Sequence, residues 1–222
     1  MRQALAFSGG KDSMACLHLM KDELDCAIFV DTGFSYPETW QMVKYASTRI
    51  PLHIVSSDRQ SQNAAHGIPS DVVPINWTAI GQSVTSPKPV MIQSYLQCCW
   101  ENIAVPLMAK VKELGITHLV SGQRMQEGHK STSRNGDVLD GIVRLFPIHD
   151  WTREQVFDCL RLHMAIPDHY YIQHSSLDCF DCTAFAKESH DRVAWTRETY
   201  PDFYAAYAVR NNAVLAAIQE AL

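Results

Sequence analysis

Two glycines flanked by hydroxyl and charged residues, Ser8-Gly9-Gly10-Lys11-Asp12-Ser13, follow directly on a short apolar run over residues 3–7. A helical pattern comes next, in which Met14, Leu17, Leu19 and Met20 recur toward Lys21. No other junction constrains the chain as much. An apolar run that ends at a glycine pair suits a strand buried on both faces of a parallel sheet, and a parallel sheet demands crossover helices.

The sequence beyond that junction supplies them. Residues 25–30 (DCAIFV) and 52–55 read as the second and third strands, and residues 37–49 as the helix between them, with Pro37 in its first turn. Further strands are predicted at 118–121 and 141–146. Helices are predicted at 91–114 (kinked or broken at Pro106), at 152–164, and as a pair over 184–222 that separates near Pro201. The expected architecture is a three-layer α/β/α fold: a mostly parallel sheet of about five strands, right-handed crossovers and a helical C-terminus. Residues 56–89 carry four prolines and two glycines and read as an irregular, functional stretch, and residues 124–140 as an active-site loop. With 222 residues, one domain spanning 1–222 is expected, its last part (183–222) being C-terminal helices.

Charge and hydropathy exclude several classes. A formal net charge of −5 provides no general basic field, so a nucleic-acid acceptor is left open but not indicated. No apolar run approaches a membrane span, and MRQALAF leaves no room for a signal peptide before the glycine loop. A cytoplasmic protein with no membrane partner is the expectation, with a homo-oligomer left open.

The glycine loop stands at the carboxyl end of a strand, where open α/β sheets bind ligands. Gly9 and Gly10 let the backbone approach a phosphate, and the amides and dipole of the following helix favour an anion. Lys11 adds a charge, and Ser8 and Ser13 add hydroxyls. The pattern GxxxxGK[ST] is absent, since Leu5 stands where its first glycine belongs and Asp12 follows the lysine. A γ-phosphate kinase site is therefore not expected. Asp31, closing the second strand, suits a ribose hydroxyl or Mg²⁺. Arg124, Lys130 and Arg134 suit a phosphate or sulfate, which guanidinium forks match.

Seven cysteines is an odd count, and two adjoin as Cys98-Cys99, while Cys179 and Cys182 form a CxxC turn. In a reducing compartment such thiols are metal ligands, catalytic groups or buried fillers rather than disulfides. Four thiolates can complete a [4Fe–4S] cluster or hold zinc. Adjacent ligands on a helix point about 100° apart, which pinches one small zinc tetrahedron and suits a larger cluster better. Unliganded thiols are the third alternative. Cys16, Cys26 and Cys159 fall on predicted core faces and read as buried fillers.

Taken together, these motifs carry a resemblance. The SGGKDS loop resembles the SGGxDS signature of the PP-loop ATP pyrophosphatase superfamily, whose members split ATP between its α and β phosphates. Asp31-Thr32-Gly33 with Pro37-Glu38-Thr39 resembles the DTG…PET element of the phosphoadenylyl-sulfate (PAPS) reductase family. Gly122-Gln123-Arg124 with Glu127 resembles its GxRxxES element, with Gly128 in place of the serine. Pro147 to Trp151 with Val156, and Ser175 to Thr183, resemble its PxxDW…V and SxxCxxCT elements; the likeness spans residues 3–183. The tandem Cys98-Cys99, followed by Pro106-Leu107 and then the CxxC, is similar to the iron–sulfur pattern of adenylyl-sulfate (APS) reductases.

The resemblance implies an adenine nucleotide, ATP or another, bound with Mg²⁺ by Ser8, Gly9, Gly10, Lys11, Asp12, Ser13, Asp31, Thr32, Gly33, Gly122 and Arg124. Lys11, Asp12 and Arg124 would be catalytic. Glu127, Lys130 and Arg134 would face the second substrate's anion, and Cys98, Cys99, Cys179 and Cys182 would hold a [4Fe–4S] cluster, with zinc as the alternative. Two departures matter. The sulfonucleotide reductases carry a nucleophilic cysteine in a C-terminal tail, and this sequence has none after Cys182. SGGKDS also keeps the Lys–Asp pair of ATP-splitting members. Both favour adenylating, ATP-dependent sulfur transfer, with a sulfur-donor or electron-donor protein as partner. A sulfonucleotide reductase using an external thiol, and a non-catalytic nucleotide sensor with a structural cluster, are the alternatives.

Overall fold

The structure, a computed structural model, describes residues 2–126, 133–172, 177, 179–186 and 188–222. The chain forms two compact units: one of residues 1–31, 37–55 and 106–171, the other of 32–36, 56–105 and 172–222. The strands in chain order are β1 (Gln3–Ala6), β2 (Cys26–Asp31), β3 (Leu52–Ser56), β4 (Ile68–Ser70), β5 (Ile92–Ser94), β6 (His118–Ser121), β7 (Val138–Leu139) and β8 (Ile142–Leu145). The helices are α1 (Lys11–Met20), α2 (Pro37–Ser47), α3 (Arg59–His66), α4 (Ala79–Val84), α5 (Tyr95–Cys99), α6 (Val105–Glu113), α7 (Arg153–Arg161), α8 (His169–Ile172), α9 (His190–Thr199) and α10 (Pro201–Ala221).

The first unit holds a six-stranded sheet in the order β3-β2-β1-β6-β8-β7. β1 pairs parallel with β2 and β6, and β6 parallel with β8. Side chains alternate across the strands and divide the core in two. Leu5, Phe29 and Val120 face one way, onto Met14 and Leu17 of α1, Val43 of α2 and Leu160 of α7. Ala4, Ile28 and Leu119 face the other way, onto Val111 of α6. These are the expected three layers.

The sixth strand corrects the expected loop over 124–140. Val138 and Leu139 pair antiparallel with Val143 and Ile142, and Asp140 and Gly141 turn between them at φ 53° and 75°. An Asp-Gly pair between apolar dipeptides is the signature of a tight hairpin.

The second unit corrects the expected irregular stretch at 56–89. It contains α3, β4, a 3-10 turn over Ile75–Trp77 and α4. β4 and β5 make a two-stranded parallel sheet, so the helix expected over 91–114 begins with a strand. After α5 the chain makes a π-helical turn over Trp100–Ala104 and continues as α6 through Pro106. Proline has no N–H to donate back along a helix, and the widened turn just before it absorbs that mismatch without a break. The C-terminal pair separates at Pro201 as expected, but its first member starts at His190 rather than 184. Trp77, Ile92, Val214 and Ala217 form this unit's own small core. No described helix is long and apolar enough to cross a membrane.

One feature of the first unit gives the fold a pH dependence. The His18 ring stacks on His163 at 4.7 Å, and its Nε2 meets the Tyr45 hydroxyl at 3.2 Å. Burial, then the charge of His163, lowers the His18 pKa from 6.5 to about 4. The unfolded chain therefore binds this proton more tightly than the folded one. The stability from neutral His18 is fully present above pH 6.5 and is lost as pH falls toward 4. Urea midpoints are expected to drop across that window, and His18→Gln to flatten the drop; an equally steep fall in the variant would contradict this assignment.

Candidate functional site

β1 is the strand from which the chain leaves in one direction, through α1 to β2 and β3, and beside which β6 is added on the other side. Ligands of open α/β sheets sit at such switch points, outside the carboxyl ends of the strands. Both carboxyl ends carry the predicted motifs here. The loop after β1 is Ser8-Gly9-Gly10, and α1 starts at Lys11 with Gly10 as its N-cap and no side-chain cap. Uncapped first-turn amides and the helix dipole make this end receptive to an anion. The loop is tied internally: Ser13 Oγ donates to the Gly10 carbonyl at 2.9 Å, and Ser8 Oγ accepts from the Gly10 amide at 3.3 Å. Gly9 takes φ +78°, a conformation that L side chains rarely adopt.

The loop after β6 brings the second motif against the first. A Cβ on Gly122 would lie 2.6 Å from the Asp12 carbonyl carbon and 2.7 Å from the Ser13 amide nitrogen, so only glycine fits. That approach delivers Arg124, whose Nε donates to Asp12 Oδ1 at 2.6 Å, while Lys11 Nζ donates to Oδ2 at 2.7 Å. The three side chains are 5%, 14% and 4% exposed. One carboxylate takes a cation on each oxygen at the helix N-terminus, in a place largely shielded from water. Asp12 thus orients both cations, a role that its place in the motif does not by itself reveal.

Tyr170 was not among the predicted residues. Its hydroxyl donates to the Gly9 carbonyl at 2.6 Å and so pins the loop from below. Burial, then the charge of Asp12, pushes its phenol well above the ordinary range, which keeps it a donor. Its position after Pro167 in an aromatic HYY run carried no motif signal. Asp31 closes β2 as expected. Arg134 lies in the turn before the β7–β8 hairpin, its amide donating to Asp137 Oδ2 at 2.7 Å. Glu127 and Lys130 lie outside the described residues.

The second unit gathers the four predicted ligand cysteines, together with Thr32 and Gly33. Cys98 and Cys182 are buried, and Cys99 and Cys179 are half-buried. Thr32 Oγ1 and Cys179 Sγ share a hydrogen bond at 3.2 Å, and the Phe180 amide donates to the Phe34 carbonyl at 2.9 Å. Phe180 stacks on Phe203 at 4.0 Å, and buried Tyr36 bonds Thr196 Oγ1 at 2.7 Å, so aromatic packing fixes the CxxC turn. Arg192, 2% exposed, donates to the carbonyl of Cys182 at 3.2 Å.

Arg59 is acted on by one member of each cysteine pair, Cys179 and Cys98. Its Nη1 donates to Asp181 Oδ1 at 2.6 Å, and its guanidinium covers the Phe34 ring at 4.4 Å. Burial opposes its charge, yet Cys179, Asp181 and Cys98 outweigh that and hold its pKa above the ordinary value. Arg210 faces the other Asp181 oxygen at 3.4 Å, with Cys182 and Cys98 also acting on its charge. Members of both cysteine pairs therefore converge on one cationic network, in which Arg59 is buried and Arg210 half-buried. Among the described residues, no group of three or more His, Cys, Asp and Glu side chains stands in a ready metal-binding arrangement.

The three remaining cysteines belong to the first unit. Cys16 is fully buried, and burial, then Asp12 and Cys159, pushes its thiol pKa up. Burial also raises Cys26 and Cys159. Cys159 is half-buried rather than fully buried, because it sits at the rim of the α1–α7 core.

An open parallel sheet with an uncapped glycine loop and a cation-bearing loop flanking its switch point defines a class of anion-binding α/β domains. Within that class the chain belongs to the phosphoadenosine phosphosulfate reductase domain family, which it matches over residues 2–185. It is 28% identical to a phosphoadenosine 5'-phosphosulfate reductase of Proteus mirabilis over 72% of this chain and 61% of that protein. It is 24% identical to an adenosine 5'-phosphosulfate reductase of Halalkalibacterium halodurans over 85% of this chain and 77% of that one. The chain spans only 45% of a further relative, an uncharacterised Methanocaldococcus jannaschii protein. A crystal structure of PAPS reductase from Candida auris, in a phosphate complex, shares the fold at a TM-score of 0.55 and 17% identity, covering 81% of each chain.

Gly122→Ala is expected to push β6 and α1 apart and to cost about 1–3 kcal/mol of stability, read as a lowered urea midpoint. Lys11→Ala is expected to weaken ATP or AMP binding by about 1.5–3 kcal/mol in calorimetry with the fold intact. Unchanged affinity would reduce the loop to a turn.

Proposed function

We propose that this chain is an adenine-nucleotide enzyme that splits ATP between its α and β phosphates to adenylate an acceptor in sulfur-transfer chemistry. The observation that carries the reading is the Lys11–Asp12–Arg124 network at the uncapped start of α1. A triphosphate brings clustered negative charge, and pyrophosphate leaves with more of it. Two cations fixed by one carboxylate stabilise that developing charge without reorganising. The backbone amides of Gly9 and Gly10 and the first turn of α1 cradle the phosphates, and Asp31 serves the ribose or Mg²⁺. An acceptor oxygen attacks the α-phosphorus, the bond to the bridging oxygen breaks, and pyrophosphate departs with both electrons of that bond. Thr32 and Gly33, and Glu127, Lys130 and Arg134 on the acceptor side, complete the proposed set.

In the second unit we assign Cys98, Cys99, Cys179 and Cys182 to a [4Fe–4S] cluster, with zinc as the alternative occupant. The buried cations around these thiols support an anionic, thiolate-rich group, since such a group would offset a positive charge that is otherwise costly to bury. When bound, a cluster supplies electron-transfer or sulfur-binding chemistry. The chain's own part is to hold the thiols on α5 and the CxxC turn, and to keep water away with Phe34, Phe180 and Phe203. A sulfur-donor or electron-donor protein is the implied partner.

The named relatives favour a second reading, sulfonucleotide reduction. There an external thiolate attacks the sulfur of PAPS or APS, the sulfur–oxygen bond breaks, and the nucleotide leaves. A second thiol then releases sulfite as a disulfide forms. The external thiol is needed because burial raises the pKa of Cys16, Cys26 and Cys159 and leaves them poor nucleophiles.

Anaerobically purified protein is expected to contain about four irons. Cys179→Ser should lose them and Cys159→Ser keep them; stoichiometric zinc without iron would contradict the cluster. Protein with thioredoxin should release no sulfite from PAPS or APS, whereas ATP, Mg²⁺ and the acceptor should yield pyrophosphate. Sulfite release that survives serine at positions 16, 26 and 159 promotes the reductase reading and overturns the first.

A further inference from the structure

We infer that Arg59, held by Asp181 and backed by Arg210, is the positioning residue of the four-cysteine centre, donating its second terminal nitrogen to a thiolate and setting the centre's charge balance. The inference rests on the reading of those cysteines as metal ligands and goes beyond it. Arg59 is 2% exposed, and a guanidinium has donors to satisfy on both terminal nitrogens. Nη1 is satisfied by Asp181, whereas Nη2 is buried with no hydrogen-bond partner among the described residues. A buried orphan donor on a charged group is costly, and an ion pair kept only for structure gives no reason to retain it.

The surroundings show where that donor would find an acceptor. Thiols from both cysteine pairs, Cys179 and Cys98, are close enough to act on the Arg59 charge. Asn63 connects the same parts: its Nδ2 donates to the Arg59 carbonyl at 2.9 Å and reaches Cys98 Sγ at 3.9 Å, and its Oδ1 accepts from Arg210 Nη2 at 3.0 Å. Asp181 is 4% exposed and neutralises only one of the two guanidiniums. Among the described residues, the network keeps one positive charge beyond what Asp181 offsets. A thiolate-bound cluster supplies the opposing charge, and its potential is set by net charge and by hydrogen bonds to sulfur.

The test is a redox titration, followed by electron paramagnetic resonance, of the anaerobically purified full chain and three variants. Removing the positive charge in Arg59→Gln should disfavour the reduced, more negative cluster. We expect the reduced-to-oxidised ratio at a fixed poise to fall about tenfold, a shift of about 59 mV to more negative potential for one electron. Arg59→Lys should restore most of that shift. Asp181→Asn removes a negative charge from the same network and should shift the midpoint in the opposite direction. A merely structural role predicts no such reversal of sign. An unmoved midpoint in Arg59→Gln, or shifts of the same sign in Arg59→Gln and Asp181→Asn, overturns the inference. If Arg59→Gln does not fold, Asp181→Asn decides alone: a positive shift supports the inference, and none or a negative one overturns it. Wild-type protein without iron overturns the cluster reading and this inference together, whereas iron-replete wild type with insensitive variants overturns only the inference.

Discussion

Asp12 holds a negative charge where water scarcely reaches, and it is stable there because Lys11 and Arg124 each take one of its oxygens. Much of the first unit serves that arrangement. β1 must end at a glycine loop so that α1 can begin at Lys11, and β6 must lie beside β1 for its following loop to reach the same carboxylate. Gly122 permits the backbone approach that brings Arg124 in, and Tyr170 fixes Gly9 from the core side. Removing Asp12 from such a shielded network would leave its two cations without their shared carboxylate, typically a loss of about 3–5 kcal/mol. The arrangement therefore couples stability to ligand readiness: the contacts that hold the loop are also those that present its cations.

The second unit repeats this arrangement of one carboxylate between two cations. There Asp181 lies between Arg59 and Arg210, and the neighbouring groups are thiols rather than helix amides. Aromatic packing of Phe180 on Phe203 and the bond between Tyr36 and Thr196 hold the CxxC turn, so the charged network need not supply the rigidity itself. The carboxylate sits within the CxxC turn itself, but its cation comes from a distant segment; Arg59 and Asp181 are separated by 122 positions.

That distance explains much of what the sequence concealed. DCAIFV and the loop SGGKDS announce a buried parallel strand and a ligand turn because each carries its signal within a few residues. The hairpin at Asp140-Gly141 carried a local signal as well, but its flanking strand, β7, is only two residues long and read as loop. α3 is hidden for a different reason. Its sequence RQSQNAAH has no apolar stripe, and the one residue it buries is an arginine. It is capped by Asp58, whose side chain accepts from the Ser61 amide at 3.0 Å, and its purpose is electrostatic rather than hydrophobic. The motif cysteines could be named from spacing, whereas Arg59, Arg192 and Arg210 could not, since nothing local distinguishes a buried guanidinium from a solvated one.

We propose the start of α1, with Lys11 and Arg124 fixed by Asp12, as a phosphate site for an adenine nucleotide. Calorimetric titration of the unmodified protein with ATP, AMP and adenosine at one salt concentration tests it most directly. If the phosphates carry the binding, AMP and ATP should bind at least about tenfold more tightly than adenosine, because each charge-assisted contact contributes about 1.5–3 kcal/mol. That advantage should shrink as salt is raised. Equal affinity for adenosine and ATP, or binding of none of the three by folded protein, would contradict the account.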